Sequence, residues 1–198
     1  MKISRRFTAV LGAAAALAVP VAAQAQVTYY TTGVFSASSS SAVSSNGMTI
    51  TFNGLGSTNV SPTPSGISFG DFITSGTPAT SAGSPFSGNF TLNVFQTAPT
   101  GGSGSFVGAV SGTLFSTGSQ TFWVPTGPLT FNAGISTYTL FAQSTTPAGP
   151  GYTIVAPNSN EGQTTLQGYV VTPEPSSMAL LGTGLVGLVP MIRRRKQK

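Results

Sequence analysis

The sequence predicts an all-β protein: an antiparallel β-sandwich of jelly-roll type, flanked by an N-terminal signal helix and a C-terminal transmembrane helix. Three observations predict it. From residue 26 to 171, short runs rich in Val, Ile, Thr, Phe and Tyr are separated by clusters of Gly, Pro, Ser and Asn, which is the punctuation of strands and turns. Several runs alternate with period two, as in Phe90, Leu92 and Val94 against Thr91, Asn93 and Phe95, so one face is apolar and the other polar. No stretch of this region carries a helical apolar stripe.

At the N-terminus, residues 1–25 read as a secretory signal. Lys2, Arg5 and Arg6 give the positive start, residues 7–21 the apolar middle, and Ala23 and Ala25 the small residues of a cleavage site before Gln26. The arginine pair hints at a twin-arginine signal, but Phe7 follows it directly and no base precedes the cleavage site, which favours the general secretory translocon.

Within the 26–171 ectodomain, the expected strands are 27–35, 48–52, 67–74, 90–96, 106–115, 121–124, 129–131, 137–143, 152–155 and 164–171. Asn46-Gly47, just ahead of the second, is a hairpin-turn signal because both residues tolerate positive φ. Residues 36–45 and 97–105 are expected as low-complexity loops, and 147–151 and 157–162 as tighter turns. The only tryptophan, Trp123, lies in a dense apolar run and is expected as a core anchor between sheets rather than as a sugar-stacking platform.

Charge divides the chain more sharply than hydropathy does. The sequence has eight Lys plus Arg against three acids and a pI near 10.0, a balance that ordinarily suggests nucleic acid or anionic lipid as partner. Yet all eight bases fall at Lys2, Arg5, Arg6, Arg193, Arg194, Arg195, Lys196 and Lys198. With no cation between the two ends to neutralise phosphates, nucleic-acid binding by the ectodomain is excluded. The chain also has no His and no Cys. Triad chemistry, thiol chemistry, Schiff bases and the usual zinc, copper or haem sites therefore lack a component, and no catalytic residue, metal or cofactor is expected.

Two carboxylates remain in the ectodomain, Asp71 and Glu161. They would suffice for glycoside hydrolysis if they faced each other across about 5–10 Å, but nothing in the sequence brings them together. Asn158, Asn160 and Glu161 invite comparison with a calcium loop, although one carboxylate with two amides is thin for that ion, and a polar turn is the expectation.

The last stretch, 172–198, has three parts in a fixed order. Pro173, Glu174 and Pro175 bring the chain in from an extended segment, because each proline disfavours helix in the residue before it. An uncharged apolar run follows at 178–192, rising about 22 Å as a helix. That is a marginal span, so the expected transmembrane helix takes in Ser176 and Ser177 and covers about 176–192. Arg193, Arg194, Arg195 and Lys196 then form a stop-transfer tail that stays on the cytoplasmic side. Gly182, Gly184 and Gly187 spell a dinucleotide-binding fingerprint but lack the preceding strand and the following acid, and suit close helix contact in lipid better.

The order Pro-Glu-Pro, short apolar helix, Arg-rich end closely resembles the PEP-CTERM sorting signal of bacterial surface proteins. The resemblance covers only the last part of the chain, and Pro190 departs from an uninterrupted helix. It implies handling by exosortase, a membrane-embedded transpeptidase-like enzyme, with an inner-membrane-anchored intermediate delivered to the cell envelope or extracellular matrix. An ordinary single-pass tail anchor would use the same arginines. The function expected is that of a non-enzymatic surface or matrix protein associated with exopolysaccharide or biofilm. A carbohydrate-binding module and, more remotely, a two-carboxylate hydrolase are the alternatives.

Overall fold

The computed structural model describes residues 26–60, 65–142, 144–147 and 149–173. The expected signal helix and transmembrane helix lie outside the described residues. The described chain is all-β, with thirteen strands: β1 (Val27–Phe35), β2 (Ala42–Ser45), β3 (Met48–Asn53), β4 (Thr58–Val60), β5 (Ser65–Gly76), β6 (Ser84–Ala98), β7 (Gly102–Leu114), β8 (Thr121–Pro125), β9 (Thr130–Ala133), β10 (Ser136–Leu140), β11 (Ser144–Thr146), β12 (Gly149–Ile154) and β13 (Gln163–Val171).

They form two antiparallel sheets. The seven-stranded sheet runs β11-β12-β8-β7-β6-β1-β4, and the six-stranded sheet runs β2-β3-β5-β13-β10-β9. Consecutive strands pair as hairpins at β2–β3, β6–β7, β7–β8, β9–β10 and β11–β12, and the remaining pairings are long returns such as β1 with β6 and β5 with β13.

Alternation along the strands decides what faces inward. On β1, Val27, Tyr29, Thr31, Gly33 and Phe35 are buried while Thr28, Tyr30, Thr32 and Val34 are not. The inner faces of the sheets meet through rings. Phe72 of the six-stranded sheet packs on Phe90 and Trp123 of the seven-stranded sheet at 4.8 and 5.9 Å, and Tyr29 meets Tyr138 at 6.0 Å. Trp123 is 0% exposed and stacks on Tyr152 at 5.7 Å, so it is the core anchor that its apolar run predicts.

The Asn46-Gly47 signal forms the β2–β3 turn, with φ of 44° and 83° at the two residues and Ser45 paired to Met48. Two expected loops contain strand: one for most of its length, the other only at its end. Most of 97–105 belongs to a long hairpin in which β6 and β7 pair from Ser84 with Leu114 to Gln96 with Gly102. Its glycines hid it: a Cβ at Gly104 would collide with the Phe131 ring, so the strand carries no β-former where another element packs on it. In the serine run 36–45, Ala42–Ser45 is β2, and the Ser38 and Ser40 hydroxyls both donate to the Ala42 carbonyl, the local bonding expected of serine.

Candidate functional site

The route to the tail is set by β13. It lies inside the six-stranded sheet, paired on one side with β5 and, over Gly168–Val171, with β10 on the other. After Val171 the chain is pinned once more, because the Thr172 hydroxyl lies 2.9 Å from that of Ser136 and both residues are buried. Pro173 is exposed. The Pro-Glu-Pro element therefore begins at the first residue beyond the folded sheet, with no spacer. Of the residues expected to act in sorting, Pro173 alone is described. Glu174, Pro175, Arg193, Arg194, Arg195, Lys196, Ala23 and Ala25 lie outside the described residues.

Residues 171–196 match the family of the PEP-CTERM protein-sorting motif. The chain carries a PEP-CTERM sorting signal. The matched span takes in Pro173, Glu174 and Pro175 and the basic residues up to Lys196, and it starts on the last residue of β13. No curated protein and no solved structure matches the chain. A PEP-CTERM signal implies export, a membrane-anchored intermediate and processing by exosortase.

The β-sandwich ahead of this sorting signal carries its two carboxylates on different elements. Asp71 sits on β5 opposite Asn53 of β3 and Thr165 of β13, and its Oδ1 is buried without a hydrogen-bond partner among the described residues. Glu161 is exposed in a short 3-10 turn, Asn160–Gly162, ahead of β13, with φ of 54°. That turn is held by the Asn160 amide, which donates to the Gln163 carbonyl at 2.7 Å, and the segment before it by the Asn158 N–H, which donates to the Ser116 carbonyl at 3.2 Å.

The structure also forms a cleft for which the sequence has no local signal. One cavity, of about 300 Å³, is lined by Gly66, Ser68, Phe141 and Gln167, and a second, of about 290 Å³, by Tyr152, Asn160, Gln163, Thr165 and Gln167. Gln167 is common to both. β10 ends at Leu140, opposite Gly168, and just past it the Phe141 N–H donates to the Gln167 carbonyl at 2.9 Å. The Tyr152 hydroxyl of β12 reaches the same carbonyl, donating to it at 2.9 Å. Burial pushes the Tyr152 phenol above its ordinary range, an effect that its bond to the Gln167 backbone partly offsets. Asp71 and Glu161 line neither cavity.

Proposed function

We propose that this is a non-enzymatic surface or matrix protein, exported through the secretory translocon, sorted by exosortase and associated with exopolysaccharide in the envelope or a biofilm matrix. One observation carries the reading. Every lysine and arginine lies in 2–6 or 193–198, while the β-sandwich between them holds only Asp71 and Glu161 as charged groups before the sorting signal. The ends serve as addresses, and the folded middle has no His, Cys, Lys or Arg to build the nucleophile–base pairs and phosphate clamps of the common enzyme classes. A surface covered by Ser, Thr, Asn and Gln makes hydrated, uncharged contacts and repels nothing electrostatically.

The test of sorting is replacement of Pro173, Glu174 and Pro175 by alanine in the full chain, expressed in a host with exosortase. The variant is expected to accumulate in the membrane fraction while the parent reaches the envelope or matrix fraction. Equal distribution of the two removes the sorting role. For the non-enzymatic part, release of reducing ends from neutral polysaccharides by the parent is expected to equal that of an Asp71→Asn, Glu161→Gln double variant. Activity in the parent that the double variant loses contradicts it.

A further inference from the structure

The cleft along β13 offers two kinds of group. At one end stands a pair of rings, Phe141 and Tyr169, with centroids 5.3 Å apart, and Phe141 is 42% exposed. Tyr169 faces Gly66 across the β5–β13 ladder, and nothing lies within 4 Å of where a Gly66 Cβ would be, so the strand beside the ring is a bare shelf. The β5–β13 register shifts between Leu166 and Gln167, next to this shelf. Beyond it come Gln167, Gln163, Asn160 and Thr165, amides and a hydroxyl that each combine donor and acceptor capacity.

The obvious competitor for an open strand edge is another strand. Here that route is blocked, because the main-chain groups of Gln167 are already engaged: its carbonyl accepts from the Phe141 N–H and the Tyr152 hydroxyl, and its N–H donates to the same hydroxyl. What the cleft presents is side chains. They carry no charge, and the nearest acids, Asp71 across from Thr165 and Glu161 beside Asn160, disfavour an anionic ligand. Two cavities that share Gln167 suit a ligand longer than a single ring, each being at the lower end of the roughly 300–1,000 Å³ of small-ligand pockets.

We infer that the cleft binds a neutral polysaccharide, one sugar ring resting on Phe141 and Tyr169 and the following units hydrogen-bonded by Gln167, Gln163 and Asn160. The inference rests on the matrix reading above and names the site at which that association occurs. An aromatic face packs against the apolar face of a sugar ring, and amides serve neighbouring hydroxyls as donor and acceptor together.

The experiment is affinity electrophoresis of the full-length chain in detergent micelles, through gels containing dextran, galactomannan or xyloglucan, with alginate as the anionic comparison. Retardation by at least one neutral polymer and not by alginate is expected. Phe141→Ala and Gln167→Ala are expected to weaken it at least tenfold, while Phe141→Tyr, which keeps the ring, retains it. Tyr30→Ala provides the control, since Tyr30 is 37% exposed and stacked on Phe95 in the other sheet, and it is expected to change nothing. Absence of retardation by all three neutral polymers, preference for alginate, or indifference to both Phe141→Ala and Gln167→Ala overturns the inference. Fractionation of the parent separates this from the broader reading: a chain found in the matrix that binds no neutral polymer sinks the cleft alone, whereas a chain absent from the matrix sinks the matrix reading.

Discussion

Phe90 shows how much of the fold rests on single side chains. It touches Phe35, Phe52, Phe72 and Trp123, with centroids between 4.8 and 5.6 Å, and so joins both sheets. Truncation removes apolar area and leaves a cavity that rigid neighbouring rings cannot fill. Phe90→Ala is therefore expected to cost about 3–5 kcal/mol, read from the urea midpoint at unchanged slope. Thr31 makes a polar link between the same sheets. Its hydroxyl donates to the Phe69 carbonyl at 2.7 Å and accepts from the Leu55 N–H at 2.8 Å. Thr31→Val keeps the volume but strands both partners, an expected loss of about 1–3 kcal/mol in the same measurement. If the valine variant were as stable as the parent, the bridge would be dispensable.

At the scale of elements, β13 connects fold and function, since the sheet's interior strand leads without a spacer into the sorting signal. The Ser136–Thr172 pair fastens its end. Thr172→Val leaves the buried Ser136 hydroxyl without this partner, and amide exchange over 169–172 is expected to quicken while exchange in β6 stays unchanged. Equal exchange over 169–172 in the parent and the variant would show that the pair fastens nothing. Strand legibility followed the same physics. The run 27–35 coincides with β1 because alternating side chains there meet a core on one face and solvent on the other. The hairpin β6–β7 extended well past its expected ends, because Gly102 and Gly104 carry no side chain to declare a strand. The short strands β4 and β11 have too few residues to show a period. Nor could the cleft be read from sequence, since Gly66, Phe141 and Gln167 meet only through the order β5-β13-β10.

For the molecule as a whole, stability without a disulfide depends on keeping the interior uncharged. Burial raises the Tyr29 phenol to about 12, and burial, reinforced by the charge of Tyr29, carries Tyr138 higher still. Each folded value exceeds the unfolded value of about 10, so the folded state holds the proton more tightly. Their contribution is complete below about pH 10 and is lost as pH rises from there through the folded values. Denaturant titrations are thus expected to show unfolding free energy falling between about pH 10 and 12, less steeply in Tyr29→Phe. An identical fall in that variant would assign the alkaline loss to other groups.

The address at the end of the chain was legible as an ordered triplet of prolines, apolar run and arginines, whereas the cleft proposed above was not legible at all. The most direct test of the whole reading is the intact mass of the protein recovered from the envelope or matrix of producing cells. The expected species begins at Gln26 and has lost Arg193 to Lys198. Recovery of an outward-facing chain that still carries those arginines would contradict export followed by exosortase processing.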